Sequence, residues 1–191
     1  MNIPNTLTLL RILLIPVFVI IFYLPFHWSY VASGIVFFIA SATDMLDGYL
    51  ARRLDQSTPF GAFLDPVADK LMVAIALGLL IERNADWTFT LPALVIIGRE
   101  IVISALREWM AELGKRTSVA VSMLGKIKTL FQMGAIFLFL MLDLEKQLPL
   151  IKGLGEPFAY FTLYTAALLT IWSMMIYLKA AWPELKPSKQ D

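Results

Sequence analysis

The sequence predicts an all-α, polytopic membrane protein with six transmembrane helices in one domain, residues 1–191. Three observations carry that expectation. Of 191 residues, 59% are hydrophobic and only 16% are charged, with a mean hydropathy of +0.72. Ordinary soluble domains are less apolar and more charged. The apolar residues fall into runs about as long as a bilayer-crossing helix needs. Short segments rich in Pro, Gly or charge separate the runs. The chain has no cysteine, which excludes disulfide and thiolate chemistry. Its net charge of +1 gives no guide to partners, and no nucleic-acid partner is expected. The first apolar run lacks a basic leader and a small-residue cleavage site, so no cleavable signal is expected.

Taken in order, Asn5 or Thr6 can cap the first helix, whose span runs from roughly Leu7 to Leu24. Pro25 to Trp28 form a turn, and Trp28 and Tyr30 suit a membrane interface. The second span runs from about Val31 to Leu54. Ser57-Thr58-Pro59 is a helix-start signal, with Thr58 as N-cap and Pro59 in the first turn. The third span continues to about Ile81, and a polar turn covers Glu82 to Trp87. The fourth span covers about Leu91 to Met110, and residues 111–118 form a basic loop. The fifth covers about Val119 to Leu142, Asp143 to Pro157 read as a loop, and the sixth covers about Phe158 to Ala181. Arg52, Arg53, Lys115 and Arg116 follow spans two and four, and Lys186 and Lys189 lie in the tail. The positive-inside rule then puts both termini and the acidic stretch after span two on the cytoplasmic side of the membrane.

The chemistry concentrates between Asp44 and Asp69, in D-M-L-D-G-Y-L-A-R-R-L-D-Q-S-T-P-F-G-A-F-L-D-P-V-A-D. Asp44 and Asp47 are three apart, and Asp65 and Asp69 are four apart, so each pair shares a helix face. The short link through Thr58-Pro59 makes the two helices antiparallel neighbours. All four carboxylates can therefore converge near one end of the bundle. Charges in apolar surroundings need pairing, water or metal, and few bases lie nearby. Hard oxygen ligands suit Mg²⁺ or Mn²⁺, and two ions about 3.5–4 Å apart could share the set. Gly48 and Gly61 allow close approach of a ligand or a neighbouring helix. The competing reading is a cation pathway or a set of inter-helix salt bridges, with the glycines serving packing alone.

The spacing D-x2-D-G-x2-A-R-x8-G-x3-D-x3-D is met at Asp44, Asp47, Gly48, Ala51, Arg52, Gly61, Asp65 and Asp69. In this the chain resembles the CDP-alcohol phosphotransferases, and no motif position departs from the pattern. The resemblance extends to N-I-P-N-T-L-T-L-L-R, G-R-E-I-V-I-S-A-L-R-E-W-M-A-E-L-G-K-R and V-A-V-S-M-L-G-K-I-K-T. These segments look like those of family members that accept sn-glycerol 3-phosphate. The resemblance implies a six-helix membrane enzyme, a homodimer with a cavity open to the cytoplasm, using two divalent ions and CDP-diacylglycerol as donor. It makes Asp44, Asp47 and Asp65 metal ligands, and Asp69 both metal-proximal and the general base. Gly48, Ala51, Arg52, Thr58 and Gly61 would line the CDP-diacylglycerol site, with Asp44, and with Asn5 and Thr8 nearby.

An acceptor phosphate must meet cations. Arg99 and Arg107, in and just after span four, and Lys126 and Lys128, near the start of span five, are the candidates. The alternative is that they face anionic lipid or pair with Glu100 and Glu108. Arg116 reads as a topological charge, and His27, the only histidine, as interfacial. The rivals are another acceptor, such as serine or inositol phosphate, an aspartate-rich prenyltransferase, and a cation transporter. In the prenyltransferases the acidic motifs lie in separate, distant loops, and a transporter leaves Gly48, Arg52 and Gly61 without a reason.

Overall fold

The computed structural model describes residues 3–26, 28–54, 59–115, 123–147 and 153–185. Within them the side chains of residues 3–5, 45–54, 59–60, 62–63, 65, 123–124, 126, 143–147 and 185 lie outside the description. The chain forms α1 (Ile3–Tyr23), α2 (Ser29–Leu54), α3 (Pro59–Arg83), α4 (Trp87–Glu112), α5 (Met123–Gln147) and α6 (Gly155–Leu185). The helix count and order are those the apolar runs predict.

The boundaries differ where polarity was read as the end of a helix. α4 starts at Trp87, four residues before the predicted apolar span, because the helix begins directly after the extended residue Asp86. α5 runs on to Gln147 through Asp143, Glu145 and Lys146. Glu and Lys are good helix formers that end a hydrophobic stretch without ending a helix. α6 begins at Gly155, so the predicted 143–157 loop shortens from both sides. The C-terminus of α4 is closed by a glycine cap. Gly114 takes φ +71°, its N–H bonds to the Ala111 carbonyl at 3.0 Å, and the Lys115 N–H reaches Met110 at 2.9 Å. A residue with a Cβ would pay for that left-handed conformation. Thr58, the predicted N-cap of α3, Arg116 and His27 lie outside the described residues.

α1 packs most extensively on α2, and α5 on α6, while α4 rests on α6 and α3 on α1. The core runs through all six helices, from Phe18 and Phe37 to Leu77, Ile96, Phe139 and Leu163. Ala40, Ala76, Ala93, Ala135, Ala159 and Ala166 are buried within it. Small residues at these positions let helices approach closely. Gly34 on α2 is one such contact, since a Cβ there would stand 3.3 Å from the Leu140 Cβ of α5. The outer surface is apolar too, with Leu13, Ile20, Phe38, Leu94, Leu130, Phe161 and Leu168 exposed. So large an apolar exterior marks a lipid-facing surface, and the protein is a membrane protein.

Among the described residues, three helices are long and apolar enough to cross a bilayer: Thr6–Tyr23, Trp87–Glu112 and Gly155–Glu184. The apolar parts of α2 and α5 are shorter, at Ser29–Asp44 and Ile127–Leu142.

The two ends of the bundle differ. At one end the α1–α2 turn meets the α3–α4 turn. Tyr23 donates to the Glu82 carboxylate, the Arg83 guanidinium lies 3.8 Å from the centre of the Tyr30 ring, and Tyr164 donates to the Thr88 carbonyl at 2.9 Å. Exposed Trp28 and Trp87 flank this end, as aromatic side chains do at a membrane interface. The other end holds the acidic stretch.

Candidate active site

At that second end, the first halves of α1, α3 and α5 meet the second halves of α2, α4 and α6. This follows from alternating helix direction, and it brings together residues far apart in sequence. Arg11 of α1 reaches across to Asp44 of α2, with Nη1 at 2.5 Å from Oδ1. The arginine is 1% exposed and the aspartate 38% exposed. Thr8, one turn earlier on the same face of α1, is also buried.

Asp69 stands half-buried on α3. It lies in the field of two negative groups, Asp44 and Glu100, and two positive ones, Arg11 and Lys70. Asp69 is thus the charge that both sides of the site share. Gly61, two helical turns before it, is buried. Lys70 donates to Ser104 of α4.

On the far side of Asp69 lies a second cluster. Lys128 of α5 is 3% exposed and donates to Glu100 Oε1. Arg99, 9% exposed, approaches the same oxygen with Nη1 at 3.5 Å. Its Nη2 donates to Ser173 Oγ of α6 at 3.0 Å, and Ser173 in turn donates to the Thr170 carbonyl at 3.0 Å. The guanidinium also sits 5.6 Å from the Tyr177 ring centre. Arg107, half-buried two turns further along α4, adds its positive field to that at Arg99. Among the described residues, Arg99 Nε, Gln132 Oε1 and Thr170 Oγ1 are buried without a hydrogen-bond partner. Buried polar groups are nearly always paired, so each of these atoms has hydrogen-bonding capacity left over. This cluster separates the main core from a small second one formed by Ile103, Met110, Tyr177 and Ala181.

The structure therefore brings Thr8, Asp44, Gly61 and Asp69 into one end of the bundle, with Arg99, Arg107 and Lys128 beside them. Asp47, Gly48, Ala51 and Arg52 fall on α2, and Asp65 on α3, but their side chains lie outside the described residues, as do those of Asn5 and Lys126; Thr58 lies outside altogether. Among the described residues no group of three or more metal-binding side chains occurs, and only two of the four motif carboxylates are described. Those two are oxygen donors on facing helices, which fits a hard divalent ion.

Sequence reasoning missed Arg11, although a lone charge inside the first apolar run was a usable signal. It treated Glu100 as a rival to a phosphate for Arg99, and the structure shows that Glu100 does pair with both Arg99 and Lys128. Ser173 carried no sequence signal.

An all-helical membrane bundle with paired aspartates on two consecutive helices and buried cations beside them defines a lipid-linked phosphotransferase scaffold. The chain belongs to the CDP-alcohol phosphatidyltransferase family, whose model matches residues 1–177. Over 187 residues it is 57% identical to a CDP-diacylglycerol–glycerol-3-phosphate 3-phosphatidyltransferase of Pseudomonas fluorescens, covering 97% of this chain and 93% of the relative. Proteins of the same name from Yersinia pestis (strain Pestoides F) and Pectobacterium atrosepticum are each 54% identical. The first alignment covers 97% of both chains, the second 96% of this chain and 97% of the relative.

Proposed function

We propose that this chain is an enzyme that transfers the phosphatidyl group of CDP-diacylglycerol to sn-glycerol 3-phosphate, forming phosphatidylglycerophosphate and CMP. The observation that carries the reading is that Asp69 shares its electrostatic surroundings with both the Arg11–Asp44 pair and the Glu100–Lys128 pair. The relatives' common name is the support for the choice of acceptor.

Asp44, Asp47, Asp65 and Asp69 would hold two divalent ions, Mg²⁺ or Mn²⁺. When bound, these supply positive charge that neutralises the pyrophosphate and the departing CMP. Arg11 orients the Asp44 carboxylate through their contact at 2.5 Å. Gly48, Ala51, Arg52, Thr58 and Gly61 would line the nucleotide side, with Asn5 and Thr8 adjoining. Arg99, Arg107, Lys126 and Lys128 would hold the acceptor phosphate, because charge-assisted bonds to phosphate are the strong ones. Asp69 takes the proton from the acceptor's 1-hydroxyl. That oxygen bonds to the β-phosphorus as the bond to the CMP oxygen breaks.

In this reading all six helices cross the bacterial inner membrane, with the site and both termini facing the cytoplasm. The support is the concentration of Lys and Arg after α2 and α4. The homodimer rests on the family resemblance alone.

The test offers purified protein CDP-diacylglycerol, Mg²⁺ and one acceptor at a time: glycerol 3-phosphate, serine, inositol phosphate or glycerol. CMP release with glycerol 3-phosphate far above the others is the expected result. A preference for another acceptor, or no release with any, would overturn the assignment.

A further inference from the structure

Two almost fully buried cations, Arg99 and Lys128, converge on a single carboxylate oxygen of Glu100. One negative charge thus serves two positive ones, and Arg99 Nε has no partner among the described residues. Arg107 adds further positive field from one side, and Asp69 adds negative field to Lys128 from the other. Glu100 itself is 22% exposed. It lines a cleft of about 350 Å³ between α3 and α4, whose wall is apolar at Val67, Leu71, Val73, Ala74, Ile97 and Ile101 and carries one other charged side chain, Lys70. The carboxylate therefore has space to turn toward Lys70, a new partner of opposite charge.

We propose that Glu100 is a placeholder for the acceptor's phosphate and sets the selectivity of the pocket for a dianion. This rests on the acceptor site assigned above. With no acceptor bound, Glu100 keeps Arg99 and Lys128 charged and oriented inside an apolar bundle, where an unpaired charge is strongly unfavourable. An arriving phosphate dianion offers two charges and three oxygens to the same donors, and Glu100 turns toward Lys70 in the α3–α4 cleft. A neutral alcohol offers nothing that displaces a carboxylate, and a monoanion offers only an even exchange. Glu100 is a positioning residue, acting through the two cations.

The experiment compares wild type with Glu100→Gln and Glu100→Asp in detergent with Mg²⁺. The readouts are KM for glycerol 3-phosphate, KM for CDP-diacylglycerol, and inhibition by inorganic phosphate and by sulfate. Removing the competing carboxylate in Glu100→Gln should lower the KM for glycerol 3-phosphate about tenfold, on the scale of one charged hydrogen bond. Both inorganic anions should inhibit it more strongly, and the donor KM should stay unchanged. Glu100→Asp should return the anion sensitivity toward wild type. A glycerol 3-phosphate KM in Glu100→Gln that is unchanged or higher, with the donor KM intact, overturns the placeholder role. Inorganic phosphate that fails to compete with glycerol 3-phosphate in the wild type overturns the underlying acceptor site instead.

Discussion

Arg11 and Asp44 meet at 2.5 Å across the α1–α2 interface, the arginine buried and the aspartate partly open. The first helix is thereby tied to the first acid of the motif. An aspartate left without its arginine would be free to turn from its position. Arg11→Ala should lower kcat/KM for CDP-diacylglycerol by about 10- to 150-fold, the range of a lost charge-assisted hydrogen bond. Asp44 is 38% exposed, so water will offset part of the loss and the lower half of that range is expected. Arg11→Lys, which keeps the charge, should retain more activity than Arg11→Ala. Equal, near-normal kinetics in both variants would mean that the contact is dispensable.

Asp69 and Asp44 should separate by phenotype. Asn at position 69 keeps the shape and an oxygen but cannot accept a proton. Asp69→Asn should lose at least ~10²-fold in turnover, at the low end of general-base contributions, while still binding CDP-diacylglycerol with metal present. Asp44→Asn should weaken that binding. Measuring donor binding beside turnover for both variants decides the matter. Equal loss of binding in the two would make Asp69 chiefly a ligand.

Activity should vanish in EDTA and return on adding Mg²⁺ or Mn²⁺, since carboxylates without a cation repel a pyrophosphate. Full turnover in excess chelator would refute the metal assignment.

Lys128→Ala and Arg107→Ala should raise the KM for glycerol 3-phosphate much more than that for CDP-diacylglycerol. The expected range is again about 10- to 150-fold, larger for Lys128 because it is the more buried. Wild-type acceptor dependence in both variants would place the phosphate elsewhere.

Gly34 provides a test of the packing alone. A new Cβ would meet Leu140 Cβ at 3.3 Å and the flexible end of Met141 at 3.1 Å. In Gly34→Ala this crowding opposes a helix-propensity gain of about 1 kcal/mol, so stability should change little. Gly34→Leu should cost about 1–3 kcal/mol as overpacking does, and thermal unfolding in detergent reads the difference. Equal unfolding temperatures for the two would show that α2 and α5 have room to part.

The helices that carry the acidic stretch were legible in the sequence because helix geometry is local. Asp44 falls on α2 and Asp69 on α3 as the apolar runs predict, while the expected pairing with Asp47 and Asp65 lies outside the described side chains. Helix number was legible for the same reason, since an apolar run of bilayer length announces itself. The Arg11–Asp44 contact spans two helices, and spacing along the chain says nothing about which faces will meet. The sharing of Glu100 by Arg99 and Lys128 is a three-way competition across α4 and α5, and composition allowed a phosphate or a carboxylate equally. Helix ends at Trp87 and Gln147 were misplaced because hydropathy reports where lipid ends, whereas backbone hydrogen bonding continues past it.

The charges on the apolar helices also bear on how the protein is made. Arg11 lies inside the apolar stretch Thr6–Tyr23 of α1, and Asp44 lies at the end of the apolar stretch Ser29–Asp44 of α2. A charge that enters lipid without its partner is costly, so α1 and α2 should gain from meeting as they insert. On the proposed assignment the pairing of Arg11 with Asp44 then serves biogenesis as well as turnover. A variant lacking it would be short of protein in the membrane before it was short of activity, so abundance has to be measured beside rate.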